Sequence, residues 1–234
     1  MKKLASLCLA LLLAFSLCAN AFAEDLPSEW ARGEVSGAIG AGLVPEDLQS
    51  SYQAPITRAE FCRLIIRLMQ ETYAADCVEF IEENGGFDVS FTDTNDREIL
   101  AAAQLGIVNG VGGGRFDPDS SIQRQAAATM LKRAANILDL TPTVAMTFQD
   151  ADQFADWAVD GIAFSSALID PFSQFRVMGG TGSFRTMADE EVPLFSPFGL
   201  YTREQAICTM MRIYHNWLMK TLDPDGYHEM FGYG

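Results

Sequence analysis

Three arginines recur in one setting along this 234-residue chain, and that setting is where chemistry could reside. Arg58 stands in Ile56-Thr57-Arg58-Ala59-Glu60-Phe61, Arg124 in Ile122-Gln123-Arg124-Gln125-Ala126, and Arg203 in Tyr201-Thr202-Arg203-Glu204-Gln205. Thr57 with Glu60, and Thr202 with Gln205, have the spacing of a capping box, in which a hydroxyl and a side chain three residues on satisfy helix-start amides. Ile56 and Phe61 fit the two positions of a hydrophobic staple. Gln123 and Ala126 cannot make the box, so the second helix start needs another partner, such as Ser121. Capping explains most of each motif but not its arginine. A cation in the first turn opposes the helix dipole, at a cost of about 0.3–1 kcal/mol when exposed. Two explanations stay open. Each guanidinium could pair with a carboxylate such as Asp93 or Asp150, or it could join unpaired helix-start amides in holding an anion, a carboxylate or a phosphate.

Other residues could complete such a site. Trp30 and Trp157 are either core residues or floors on which a sugar ring stacks beside an arginine and a glycine loop. The second copy of the pattern offers Ile99 or Leu100 near that place. Gly110, with Gly112, Gly113 and Gly114, breaks the helix and permits a tight turn with positive backbone angles. Catalysis has little to work with. His215 and His228 lie outside the recurring pattern, with no nucleophile or metal ligand at a suitable spacing. The aspartates at 93, 96, 117, 119, 150 and 152 do not follow calcium-loop spacing. The expectation is a protein that is not an enzyme and needs no cofactor or metal.

The elements that position these residues come in three diverged copies. Arg58, Arg124 and Arg203 share one register position, at offsets of 66 and then 79 residues. Arg67, Arg133 and Arg212 share another, about half a helical turn away, and are expected to be solvated or paired rather than part of a site. Each copy reads as helix, loop, helix. The first helices cover about 30–41, 97–105 and 155–168, and the second about 58–71, 124–138 and 203–218, with 77–81 as a short extra helix. Phe61, Ile65 and Leu68 recur at near-helical spacing and face a core. A helix pair cannot bury its apolar stripe alone, so the copies must pack on one another, either in a line or around a threefold axis. The fold class is all-α. The longer second offset places an insertion at 170–194, expected as a surface loop because of Pro171, Pro193, Gly179, Gly180 and Gly182.

Composition narrows the class of partner. Residues 1–23 read as a signal peptide, with Lys2 and Lys3, an apolar run from Leu4 to Leu17, and Ala21-Phe22-Ala23 at the cleavage site. Removal leaves 31 acidic and 14 basic residues, a net charge of −17. Such a surface repels nucleic acid and anionic membranes, and no later stretch is apolar enough to span a bilayer. Cys62, Cys77 and Cys208 are odd in number; Cys62 and Cys208 read as core residues, and a Cys62–Cys77 bridge is weakly supported.

The ordered motifs resemble S-layer homology domains. Phe91-Thr92-Asp93 and Phe148-Gln149-Asp150 match the opening, and Trp157-Ala158 matches the following pair. Gly106-Ile107-Val108-Asn109-Gly110, Phe116-Asp117-Pro118 and Ile56-Thr57-Arg58-Ala59-Glu60 match the remainder. The resemblance implies repeats at 24–85, 86–143 and 144–220, followed by a tail at 221–234, packed as a pseudo-threefold spindle around a central helical bundle. It implies an exported protein at the cell wall or cell surface. Its partner would be a secondary cell-wall polysaccharide, often carrying pyruvylated sugars, held in grooves between repeats. Arg58, Arg124 and Arg203 would meet the acidic group, Trp30 and Trp157 would flank the saccharide, and Gly110 would line the groove. The alternative is a structural or adaptor protein whose insertion and aromatic tail contact another protein. The copies depart from the pattern in places. The first lacks the F-x-D opening and has Pro45 where the chain turns, the second has Gln123-Arg124-Gln125-Ala126, and the third has Ala167 near the expected loop glycine. Judged from each arginine's own motif, Arg58 and Arg203 are the strongest candidates and Arg124 the weakest.

Overall fold

The computed structural model describes residues 26–140, 142, 144–185 and 191–231; the signal-peptide expectation lies outside them. Eight helices follow in order among the described residues: α1 (Arg32–Gly40), α2 (Arg58–Tyr73), α3 (Cys77–Glu83), α4 (Arg97–Gln104), α5 (Arg124–Ile137), α6 (Val159–Ala167), α7 (Arg203–Leu222) and α8 (Pro224–Phe231). The protein is all-α, with one qualification. The 170–194 insertion, expected as a loop, contains an antiparallel pair, β1 (Gly182–Arg185) and β2 (Glu191–Leu194), with Gly182 opposite Leu194. The tail, which the sequence left unplaced, forms α8 and packs on α7 with Tyr227 buried.

Helix boundaries follow local chemistry. Thr57 and Glu60 complete a capping box on α2, as Thr202 and Gln205 do on α7. Asp96 caps α4 through the amides of Glu98 and Ile99. Gly42 and Gly106, both at positive φ, end α1 and α4, where the next residue's amide reaches back to Ala38 and Ala102. Gln123 makes no side-chain cap on α5, and Ser121 is not the substitute. Its start is satisfied from a distant segment instead: the amides of Arg124 and Gln125 donate to the carbonyls of Gly199 and Pro197.

The same device operates three times. Arg58 and Ala59 amides donate to Ser120 and Pro118, and Arg203 and Glu204 amides donate to Ala54 and Tyr52. The residues just before the three helices close a ring: Ile122 donates to Ile56 at 3.0 Å, Tyr201 to Ile122 at 3.0 Å, and Ile56 to Tyr201 at 2.8 Å. All three side chains are buried, so these bonds form where no water competes for the backbone groups. The first helices then pack on the second helices of other copies: α1 on α7, α4 on α2, and α6 on α5. Gly161 makes the last of these contacts closer than any other residue could, because a Cβ there would lie 2.7 Å from the Thr129 backbone. Helix α2 also packs on α5 and α7. Cys62, Cys77 and Cys208 are free thiols, Cys62 and Cys208 within the core.

Candidate functional site

Two of the boundaries between copies each bring together four parts that are far apart in sequence. They are an arginine at a second-helix start, the loop of the following copy, an outward-facing residue at a first-helix start, and an arginine further along a second helix. At the first boundary, Arg58 lies over the Phe116 ring, 4.5 Å from its centroid, and donates from Nε to Phe116 O at 3.0 Å and from Nη2 to Asn109 O at 3.1 Å. Gly110, Ala126, Arg133 and Trp157 line the same cavity, of about 250 Å³. Trp157 is 58% exposed. Three of the sequence-derived residues, Arg58, Gly110 and Trp157, therefore meet in one groove.

The second boundary repeats this construction. Arg124 lies over Phe195, 4.8 Å from the centroid, donating from Nε to Phe195 O and from Nη2 to Gly179 O, both at 2.8 Å. Trp30, Gly180, Arg176, Gln205 and Arg212 line a larger cavity of about 680 Å³. Trp30 is 54% exposed. The third copy's loop glycine is thus Gly180 and not a residue near Ala167. The Thr181 amide donates to Leu194 O just as the Val111 amide donates to Arg115 O. Close approach of the returning chain is the reason for glycine at both places. A Cβ at Gly110 would sit 2.6 Å from Arg115 O, and one at Gly180 would sit 2.8 Å from Pro193 Cβ and 3.2 Å from Leu194 O. Gly110 does not need positive φ; Gly112, Gly113 and Gly114 do.

Two aspartates hold the loops that carry the aromatic platforms. Asp93 accepts the amides of Phe116 and Asp117, both at 2.8 Å, and Asp150 accepts those of Phe195 and Ser196 at 2.9 and 2.7 Å. These are the carboxylates that sequence offered as ion-pair partners for the arginines, and their oxygens are committed to backbone instead. The first two amides of each second helix are committed to carbonyls of the neighbouring copy, and those of Glu60 and Gln205 to the Thr57 and Thr202 hydroxyls. The guanidinium is therefore the main group left for an anion, joined in the Arg58 groove by the uncapped start of α5 at Ala126. Burial pushes both Arg58 and Arg124 below the usual arginine range, and neither has a carboxylate within ion-pair distance among the described residues. Arg124 is only 5% exposed. A buried cation held by carbonyls and aromatic faces is stabilised further by any anion that can reach it.

Arg203 is different. Its Nη2 pairs with Glu60 Oε1 at 2.7 Å and its Nη1 donates to Ser50 O at 2.6 Å, while Nε has no partner among the described residues. Ser50 stands where Phe116 and Phe195 stand in the other copies, eight residues before the next arginine, so no ring underlies the guanidinium. At this boundary the residue matching Trp30 and Trp157, two before the helix start, is Asn95 and not Ile99 or Leu100. The cavity beside it carries Asp76, Glu79, Glu82, Asp96 and Glu98 against Arg67 and Arg97. An anion finds no welcome there.

Sequence reasoning set aside the second arginine row, yet Arg133 and Arg212 line the two grooves. Their phase along one helix is irrelevant, because the two arginines of a groove come from different helices. Arg212 is held by Glu34 through bonds of 2.7 and 2.6 Å. Arg133 donates to Ile107 O at 3.3 Å and has no ion pair among the described residues. His215, outside the recurring pattern, makes a structural contact. It bonds the fully buried Asp170 at 3.0 Å, which also accepts the Ser173 hydroxyl at 2.6 Å, and so ties the root of the insertion to α7. The hydroxyl addresses the aspartate and not the imidazole, which is not the arrangement of an activated nucleophile.

Residues 90–128 match the model of a protein family described as the S-layer homology domain. Exoglucanase XynX from Acetivibrio thermocellus is 26% identical over 192 residues, covering 78% of this chain and 15% of that protein. Amylopullulanase from Thermoanaerobacterium thermosulfurigenes is 28% identical over 153 residues, covering 62% of this chain and 8% of that protein. The chain therefore spans a small part of the length of these relatives.

Proposed function

We propose, from the match of residues 90–128 to the S-layer homology domain, that the protein attaches non-covalently to the bacterial cell wall. It does so as an exported protein by holding an acidic secondary cell-wall polysaccharide, of the kind that carries pyruvylated sugars, in grooves between its repeats. The segments 24–85, 86–143 and 144–220 act as those repeats, and the closed ring at Ile56, Ile122 and Tyr201 supports treating them as one pseudo-threefold unit.

The observation that carries this reading is the state of Arg58 and Arg124. Each is a desolvated guanidinium without a carboxylate partner among the described residues, on an aromatic platform, opening on a groove with an exposed tryptophan. The guanidinium suits a carboxylate, and the indole face suits a sugar ring. In a chain this acidic, two such places are local exceptions to a surface that repels anions. Carboxylates paired with all three arginines would favour the adaptor reading, and among the described residues only Arg203 of the three has such a pair. The activities in the relatives' names belong to proteins of which this chain matches 15% and 8%, and they are not carried over.

The test is sedimentation of the processed protein with purified cell walls before and after extraction of their secondary polymer. Binding is expected to need the polymer, to fall with rising salt, and to fall in Arg58→Ala and Arg124→Ala. Retention on extracted walls, or by the double variant, would refute the proposal.

A further inference from the structure

The three arginine sites are assembled from the same parts, which isolates the position where they differ. The third residue of each second helix stands across the boundary from another copy's arginine. Ala126, on α5, lines the groove of Arg58. Gln205, on α7, lines the groove of Arg124. Glu60, on α2, meets Arg203 at 2.7 Å. Two of the three residues are neutral and one is an acid.

We propose that this position is a charge gate: Ala126 and Gln205 leave Arg58 and Arg124 open to an anionic group of the ligand, whereas Glu60 occupies Arg203 from within, so the protein takes two such groups and not three. The proposal rests on the reading of the grooves given above and adds what sets their number. Glu60 is well placed to exclude a competitor. Its Oε2 accepts the Thr57 amide at 3.0 Å while Oε1 accepts Arg203, so the capping box fixes the carboxylate in front of the guanidinium. The side chains are 11% and 22% exposed, so the pair is little screened by solvent. A ligand carboxylate would have to displace one already tethered at high effective concentration. Loss of the capping acid in the second copy, which looks like decay of the motif, then acquires a consequence elsewhere. It keeps the groove of the first copy's arginine open.

The molecule carries its own reporters. Trp157 lines the Arg58 groove and Trp30 the Arg124 groove, while Trp217 lies on α7 outside both. With 15N-labelled protein, the three indole N–H signals can be followed while titrating the methyl glycoside of a pyruvate-ketal hexose. The wild type is expected to shift the Trp30 and Trp157 signals but not Trp217, with a calorimetric stoichiometry of about two. Ala126→Glu is expected to weaken the Trp157 response at least tenfold and spare Trp30, and Gln205→Glu is expected to do the reverse. An acid at the third helical position is compatible with the helix dipole, and circular dichroism checks that the fold is kept. Ala126→Gln separates size from charge: it should bind at the Trp157 groove at least tenfold more tightly than Ala126→Glu. A Trp157 response that survives Ala126→Glu, equal loss in Ala126→Gln and Ala126→Glu, or a stoichiometry of three would overturn the gate. Silence of both indoles in the wild type would instead overturn the groove reading beneath it.

Discussion

Replacing Asp150 by alanine tests the architecture beneath the larger groove. Asp150 is 6% exposed and its two oxygens accept the Phe195 and Ser196 amides at 2.9 and 2.7 Å. Hydrogen bonds to a charged partner contribute about 1.5–3 kcal/mol each, so losing both costs about 3–6 kcal/mol. Part is recovered, because the carboxylate holds Ser196 at φ 57°, and releasing a non-glycine residue from the left-handed region returns about 1 kcal/mol. The net expectation is a loss of about 2–5 kcal/mol. With a urea slope of about 2 kcal/mol/M, the unfolding midpoint measured by circular dichroism should fall by about 1–2.5 M. Asp150→Asn keeps the shape but turns an NH₂ toward one of the two donors, so about half the loss is expected. Phe195 O is also the acceptor for Arg124 Nε, so the loosened loop should weaken ligand binding in that groove before the protein unfolds. Asp93→Ala, at the more exposed counterpart, should have the smaller effect. A stability within about 1 kcal/mol of wild type for Asp150→Ala would refute the assignment of this carboxylate as the loop's anchor.

Gly161→Ala places a Cβ 2.7 Å from Thr129 backbone, which cannot yield as a side chain would. Overpacking of this kind costs about 1–3 kcal/mol, so the melting temperature should drop by about 3–10 °C; an unchanged melting curve would contradict the close α5–α6 contact. Burial pushes the Cys62 thiol up to about 12 and raises Cys208 as well, so a thiol reagent at pH 8 should label only Cys77 until denaturant exposes the others. Rapid labelling of more than one thiol in the native protein would exclude this. Burial pushes the Asp170 carboxyl up, but bonds from His215, Ser173 and the Phe172 amide outweigh it and leave its pKa below the ordinary carboxylate value. Its contribution to stability is therefore full above the unfolded pKa of about 3.9 and is lost as pH falls through the lower folded value. Asp170→Asn should flatten that part of the acid unfolding profile, and an unchanged profile would show that the carboxylate carries no such linkage.

Much of the fold can be read from short stretches of chain. Thr57 with Glu60 and Thr202 with Gln205 announce helix starts because capping is a contact between residues three apart. The first helices, expected at about 30–41, 97–105 and 155–168, lie at Arg32–Gly40, Arg97–Gln104 and Val159–Ala167. The start at Arg124 could not be read that way, since its partners are the carbonyls of Gly199 and Pro197. Gly180 is not legible as the third loop glycine because the insertion moves it out of register, and the bonds from Arg124 to Gly179 O and from Thr181 to Leu194 O identify it. The order of merit among the arginines also changes. Arg203 has an intact motif of its own, yet its platform position is Ser50 and its counter-ion is Glu60, both from the first copy.

By itself, then, the sequence determined the all-α class, the recurrence of the pattern and the identity of the residues that could recognise an anion, because periodicity and capping act over a turn or two of helix. Tertiary structure alone decided which of those residues are available. The grooves of Arg58 and Arg124 each take the arginine from one copy, the platform and glycine from the next, and the tryptophan from the third, and the partner that neutralises Arg203 is 143 residues away. Whether a guanidinium is free depends on what faces it across a boundary, and a boundary between copies exists only once the ring at Ile56, Ile122 and Tyr201 has closed.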